Sequence, residues 1–377
     1  MFSEVIAIGN VLTTGKARLL FCSDALLVDG VTSYILHVGT ALARAGHQVA
    51  VLGRWAGQGF QRRYRDEGMT VFSCPSPTVG NAWFDAKAKA FDPDVILTDS
   101  RRSFPLATRL KKVTGRPVVT YFLDHLEKTD RPGRDIASLT RWSDAWAVAE
   151  EPIRRSLVEA APGFPIFRLP RPLDVAVAPA PLPRRDPFRI VFFGRLSGYK
   201  TPGMFHLLDH IEDLDRAIPG VEIVIVGGGG WRLLRFRALA AKINRSLGRR
   251  AIVVAGTQID PRPWLAKACL ICGGSTSAIE AALSKRPVIC FTGYWFGQVT
   301  GDNVDEALAC YFGERGGRGH FSDPAMLDRI VPEIVGVHER YDQLPADLET
   351  IASRLSPHFE STETTRSFSA LMDGLPS

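Results

Sequence analysis

The chain has 377 residues, with 46 Lys and Arg against 40 Asp and Glu, and 45% of its residues are hydrophobic. That size and balance predict a water-soluble globular protein of two domains with ample core. A membrane-spanning chain is excluded, because no uncharged apolar run approaches the ~20 residues that a bilayer crossing needs.

Charge is unevenly spread. Residues 101–250 hold 27 Lys and Arg against 15 Asp and Glu, whereas 301–377 hold 6 against 14. A basic middle points to an anionic ligand, an anionic membrane surface, or both. Nucleic acid is disfavoured, since no nucleic-acid module or basic-aromatic repeat is present. The six cysteines, at 22, 74, 269, 272, 290 and 310, lack metal-ligand spacing. Cys269 and Cys272 keep a Cys-x-x-Cys gap without a partner Cys or His nearby, so buried free thiols in a reducing cytoplasm are expected. Met1-Phe2-Ser3-Glu4 has no basic start and no cleavage-like sequence, so no signal peptide is expected.

Taken in order, residues 1–16 are weakly patterned and read as an extension. Ala17–Cys22 is a compact apolar strand, and Val31–Ala45 has apolar residues at helical spacing, stopped by Gly46. His47–Gly53 is the next strand, which makes a strand–helix–strand crossover of a parallel sheet. The alternation continues through strands at Val71–Cys74, Val95–Thr98, Pro117–Leu123, Ala145–Val148 and Ile166–Leu169. Helices are predicted between them at Asn81–Ala90, 103–114, 136–142 and 151–160. Pro170–Pro187 is proline-rich and aperiodic, the mark of a stiff linker. From Phe188 the alternation restarts. Strands are predicted at Ile190–Phe193, Val221–Val226, Ala251–Ala255, Leu270–Ile271 and Val288–Phe291, with helices at Met204–Ala217, Trp231–Leu247, Pro263–Lys267 and Ser277–Ser284. The acidic tail from about Pro324 is helical by periodicity. Two open parallel sheets follow, with binding sites expected at the carboxyl ends of their strands.

Three stretches at such ends carry chemistry. In Cys272-Gly273-Gly274-Ser275-Thr276-Ser277-Ala278-Ile279-Glu280, small residues allow close backbone approach and Ser or Thr can cap the following helix. The first amides of that helix face any anion seated there. Glu280 lies about one turn further in, where a carboxylate can accept hydrogen bonds from a sugar diol. In Phe193-Gly194-Arg195-Leu196-Ser197-Gly198-Tyr199-Lys200, Arg195 offers a planar fork and Lys200 a point charge, a pair suited to a diphosphate. Ile223–Val226 runs into Gly227-Gly228-Gly229-Gly230, where bare backbone permits close approach of a ligand or tight packing. As a dinucleotide fingerprint this turn fails, because Arg232 breaks the Gly-x-Gly-x-x-Gly spacing.

In this order the motifs resemble the two-domain nucleotide-sugar glycosyltransferases of the GT-B fold, closest to family 4 (group 1), over roughly residues 17–330. Gly30-Val31-Thr32-Ser33-Tyr34 and Ala45-Gly46-His47-Gln48-Val49 are similar to that family's glycine loop and second strand. Asp92-Pro93-Asp94-Val95-Ile96, Pro117–Thr120 with Asp124-His125, Phe193–Leu196 with Lys200, and Glu280–Leu283 with Pro287-Val288-Ile289 follow suit. The resemblance implies two Rossmann-like parallel-sheet α/β domains facing each other across a cleft. It also implies that Arg195 and Lys200 neutralise the donor diphosphate, that Glu280 binds the ribose, and that Gly274, Ser275 and Thr276 touch the phosphates or the sugar. Thr257 and Gln258 would lie near the base, and Gly228 and Gly30 would give the donor room. No metal or other cofactor is implied, and Asp92-Pro93-Asp94 reads as the start of a strand. Family members usually carry a second glutamate eight positions before the ribose-binding one; here that position is Cys272, so the sugar contacts must differ. Asp29 stands where a first glycine is common. The stereochemical outcome stays open, and with it the catalytic group: Asp24, Asp124 and His125 are the candidates, as base or as sugar-orienting residues.

The expected function is transfer of a hexose-type sugar from a nucleoside-diphosphate sugar to a saccharide or lipid-linked acceptor, in polysaccharide or glycolipid biosynthesis. The alternatives are a nucleotide-sugar epimerase and a catalytically silent nucleotide-sugar-binding subunit. Residues 1–170 would form the acceptor domain, 171–187 the linker, 188–352 the donor domain, and 353–377 a helical tail packing back toward the first domain. Cations and aromatics at Arg54-Trp55 and 60–65, and cations at Arg101, Arg102, Arg109, Lys111, Lys112 and Arg116, read either as a solvated face or as a contact with an anionic membrane that presents a lipid-linked acceptor. The expected location is the cytoplasm, with a peripheral hold on the inner face of the membrane.

Overall fold

The computed structural model describes residues 15–26, 30–74, 80–100, 102–123, 132–177, 180–314 and 316–376. They divide into two compact units: the described residues of Met1–Leu27, Val38–Pro170 and Thr364–Ser377, and those of Val28–His37 and Arg171–Glu363.

The first unit is built on strands β1 (Arg18–Leu26), β2 (Gln48–Ala56), β3 (Thr70–Ser73), β4 (Val95–Asp99), β5 (Val118–Phe122), β6 (Ala145–Val148) and β7 (Ile166–Arg168). They form one parallel sheet in the order β3-β2-β1-β4-β5-β6-β7. Helices α1 (Gly30–Arg44), α2 (Gln58–Asp66), α3 (Asn81–Phe91), α4 (Phe104–Thr114), α5 (Pro132–Trp142) and α6 (Glu151–Ala160) connect them, α1 belonging to the second unit as far as His37. Burial explains the unbroken apolar runs of the central strands, since β5 and β6 are buried at every position. Trp146 in β6 is fully buried, its ring 5.1 Å from Phe122 and 4.6 Å from Phe164.

Helix ends follow local chemistry. Helix α4 begins at Phe104-Pro105, where the missing proline amide costs nothing, and stops at Gly115 with φ +71°. The Asp92-Pro93-Asp94 run does open a strand. Asp94 accepts from the Arg18 amide at 2.7 Å, while Asp92 pairs with the Arg18 and Arg116 guanidiniums. Those bonds, Arg116 first, hold the Asp92 carboxyl below its ordinary range.

The second unit contains β8 (Arg189–Phe193), β9 (Glu222–Val226), β10 (Ile252–Gly256), β11 (Leu270–Gly273), β12 (Val288–Cys290), β13 (Tyr294–Trp295), β14 (Gly297–Gln298) and β15 (Gly319–His320). Its main sheet runs β10-β9-β8-β11-β12-β14, parallel except for the β12–β14 pair, and β13 with β15 makes a small antiparallel ribbon. Around it lie α7 (Pro202–Asp209), α8 (Ile211–Ala217), α9 (Trp231–Ser246), α10 (Arg262–Ala266), α11 (Ser275–Leu283), α12 (Val304–Ala309) and α13 (Pro324–Leu327). Helices α14 (Ile330–Glu339) and α15 (Pro345–Leu355) follow in this unit, and α16 (Ser361–Asp373) belongs to the first unit from Thr364 on. The single helix expected over 204–217 is two, broken at His210.

The proline-rich stretch is fastened to the second unit. Leu173 is fully buried there, and Tyr341 donates to the Pro183 carbonyl at 3.0 Å. The Arg286 guanidinium, itself buried, donates to the carbonyls of Ala180 and Pro181 on that stretch and of Leu265 behind it. Carbonyl oxygens thus replace the water that this charge has lost.

Candidate functional site

In the second unit the chain passes from β8 through β9 to β10 on one side, then returns to place β11 on the other side of β8. The order of strand addition therefore reverses between β8 and β11, which run parallel and pair in register at Phe193 and Gly273. Loops leaving two such strands diverge, and the gap at their carboxyl ends is where α/β sheets of this kind take ligands. Arg195 and Lys200 follow β8, and Gly274, Ser275, Thr276 and Glu280 follow β11.

The glycine turn after β9 is packed by protein. A Cβ on Gly227 would stand 1.8 Å from the Gly194 carbonyl, one on Gly228 2.2 Å from Thr257 Oγ1, and one on Gly229 2.4 Å from the Leu196 carbonyl. Backbone bonds lace the same loops together: Gly194 to Val226, Leu196 to Gly228, and Gly227 to Gly256, at 2.8–3.1 Å. These glycines let the loop after β8 lie flat against its neighbours, which fixes where Arg195 and Lys200 begin. Gln258 donates to the Ala255 carbonyl at 2.9 Å, and Thr257 is exposed beside it.

Helix α11 starts at Ser275, two residues earlier than its spacing predicts, and no side chain caps it. Gly274 is extended, and a Cβ there would meet Thr292 Oγ1 at 1.9 Å. Ser275 sits at φ +60° and donates its amide to the Phe312 carbonyl at 3.3 Å. Thr276 Oγ1 lies 3.3 Å from Arg171 Nη1 and 3.1 Å from the Tyr311 hydroxyl. Glu280 follows four residues later, on the same helical face, and is 8% exposed.

Two groups here were not legible in the sequence. Arg171 is also 8% exposed; it bonds the Gly30 carbonyl at 3.0 Å and Ser33 Oγ at 3.3 Å, and its guanidinium lies 5.5 Å from the centre of the Tyr34 ring. It ties the first turn of α1 to the first turn of α11. Its location in a proline-rich stretch read as spacer hid it. The second is the loop Tyr311-Phe312-Gly313-Glu314, with φ of +51°, +53° and +76° at its first three residues. Glu314 Oε2 is 2.7 Å from Lys200 Nζ, and its Oε1 accepts from the Tyr199 hydroxyl at 2.9 Å. Nothing in the local sequence marks it.

Cys272 is corrected in meaning rather than position. Its side chain is fully buried in the core of the unit, and burial pushes the thiol well above its ordinary range. A thiol buried there is closed to solvent, so any sugar contact must come from other residues. All six cysteines are free.

In the first unit, Asp24 is half-buried near the end of β1, with Arg54 Nε 3.8 Å away. Asp124, His125, Asp29 and Arg101 lie outside the described residues. The basic segments are largely neutralised. Arg109 grips Asp85 with two bonds, Lys111 pairs with Asp144 at 2.7 Å, and Lys112 sits over the Trp142 ring. The 60–65 stretch is helix α2, with Tyr64 turned fully inward.

Residues 29–161 match the family described as glycosyl transferase 4-like domain. No curated protein sequence matches the chain. Among solved structures, HepE from Anabaena, determined with UDP and glucose, aligns over 95% of this chain and 100% of its own at 15% identity, with a TM-score of 0.67. Sucrose-phosphate synthase from Thermosynechococcus elongatus aligns over 94% and 98% at 14% identity and a TM-score of 0.65. TarM aligns over 94% and 98% at 11% identity and 0.64. The chain thus has the GT-B fold, and its residues 29–161 match the description of a glycosyl transferase 4-like domain.

Proposed function

We propose that this protein is a glycosyltransferase that moves a sugar from a nucleoside-diphosphate sugar to a saccharide or lipid-linked acceptor. One observation carries the reading: Arg195 and Lys200 on one side, and the first turn of α11 with Glu280 on the other, flank the reversal point between β8 and β11. Cations and a helix N-terminus suit a diphosphate, and a buried carboxylate one turn on suits the ribose diol. HepE was crystallised with UDP, with UDP-glucose, and with UDP and glucose, which makes a uridine diphosphate sugar the first donor to try.

In this reading the bond between the anomeric carbon and the β-phosphate oxygen breaks, the electron pair stays on that oxygen, and the acceptor hydroxyl attacks the anomeric carbon. Negative charge grows on the leaving diphosphate, where Lys200 and Arg195 stabilise it without a metal. Asp24, Asp124 and His125 remain the proposed groups for taking the hydroxyl proton or orienting the sugar. The anionic membrane surface of the proposal narrows to Arg62 and Arg102, since Arg54, Arg109, Lys111 and Arg116 face carboxylates. Salt-insensitive or absent binding to anionic vesicles would remove it.

The decisive experiment is a melting-temperature screen against UDP, GDP and ADP, followed by donor hydrolysis with the best nucleotide's glucose conjugate. A shift given by one nucleoside diphosphate, together with release of that diphosphate, supports transfer. No shift with any of the three overturns the reading.

A further inference from the structure

We propose that Glu314 reads the hydroxyls of the donor sugar and is the specificity-determining carboxylate of this site; the inference rests on the donor-binding reading above. Its side chain is mostly buried against Lys200, the cation assigned to the diphosphate, with Oε2 at 2.7 Å from Nζ. The Tyr199 hydroxyl fixes the other oxygen at 2.9 Å. A carboxylate in that place repels phosphate, and Lys200 stands between the two charges. What a carboxylate accepts well is a pair of neutral hydroxyls, and the group covalently next to the β-phosphate is the sugar.

The loop that delivers Glu314 is built for placement. Two aromatic residues, Tyr311 and Phe312, adopt left-handed conformations that side-chain-bearing residues rarely hold. Such strain persists where surroundings over-determine it, and it gathers at ligand sites. Here the Phe312 amide donates to Ala307 at 2.6 Å and the Phe312 carbonyl accepts from Ser275. The Gly313 carbonyl accepts from Tyr294 at 2.9 Å, and the Tyr311 hydroxyl reaches Thr276. Gly274 and Gly293 leave room for this backbone, since Cβ atoms there would stand 3.0 Å from the Phe312 carbonyl and 2.9 Å from the Gly313 carbonyl. The loop is thus bolted to the first turn of α11, and Glu314 to the turn after β8. With Cys272 facing the core, a carboxylate for the sugar comes from this loop.

The test is calorimetric binding of UDP and of UDP-glucose to the full chain and to Glu314→Gln, Tyr199→Phe and Lys200→Met. Wild-type protein should bind UDP-glucose more tightly than UDP. Glu314→Gln should lose at least tenfold for UDP-glucose while UDP changes less than threefold, or tightens as Lys200 is released. Tyr199→Phe should lose part of the same sugar increment, and Lys200→Met should weaken both ligands alike. An equal loss of UDP and UDP-glucose in Glu314→Gln, or no loss of either, overturns the proposal with the donor reading intact. Wild-type protein that binds neither ligand overturns both.

Discussion

Replacing Glu280 by Gln tests the nucleotide site with the least disturbance to the fold. The side chain is 8% exposed and follows Thr276 by one turn of α11, so the variant keeps its volume and its place. Glutamine keeps one acceptor oxygen but loses the charge. A hydrogen bond to a charged acceptor contributes about 1.5–3 kcal/mol against about 1 kcal/mol for a neutral one. Over two ribose hydroxyls the expected loss is about 2–3 kcal/mol, and with a tenfold change per 1.4 kcal/mol that is roughly 30- to 150-fold in Kd. The assay is titration calorimetry with UDP and with its 2′,3′-dideoxy analogue. Wild-type protein should distinguish the two strongly, and Glu280→Gln should hardly do so. UDP binding within threefold of wild type, or an equal loss for both ligands, would refute the assignment of Glu280 to the ribose.

Other perturbations read the scaffold. Gly227→Ala puts a Cβ 1.8 Å from a backbone carbonyl that cannot rotate away, and about 3 kcal/mol of stability should be lost in urea unfolding. Gly228→Ala meets only the Thr257 hydroxyl, which can turn, so about 1 kcal/mol is expected; equal losses would refute the distinction. Burial lowers the pKa of His47 from its ordinary 6.5, and its Nδ1 accepts from the Ala17 amide at 3.2 Å, which requires the neutral ring. The unfolded chain then binds the proton more readily, so the stability due to neutral His47 is present above about pH 6.5 and is lost as pH falls toward the folded-state value. The urea midpoint should drop between pH 7.5 and 5.5, and by less in His47→Gln; identical drops would refute it.

The two sheets were legible because their strands are buried on both faces and their helices on one, so burial writes itself into the sequence as apolar runs and helical spacing. Strand ends that Gly, Pro or Asp mark were found within a few residues. Three misses share a cause. Helix α2 was read as a patch of cations and aromatics, although Tyr64 is an inward residue of a short amphipathic helix. The stretch 292–323, with β13, β14, α12 and β15, went unassigned because two-residue strands have no periodicity to detect. The proline-rich stretch was read as spacer, whereas Arg286 and Tyr341 bind its carbonyls.

Two of those stretches hold residues of the proposed site, Arg171 and Glu314. Arg195, Lys200 and Glu280 sit beside strands and glycines that advertise a loop. Arg171 and Glu314 sit outside helices and strands, and backbone there leaves no periodic pattern. Cys272 shows the converse. Spacing from Glu280 makes it look like a site position, yet it lies in a strand buried at every position, and Gly274 and Ser275 follow only past the strand's end. Motif spacing counts residues along the chain, whereas access to a ligand depends on burial. Glu314 is far from Lys200 in sequence and 2.7 Å from it in space. On the proposal above, the left-handed turn at Tyr311–Gly313 is what sets that carboxylate beside Lys200.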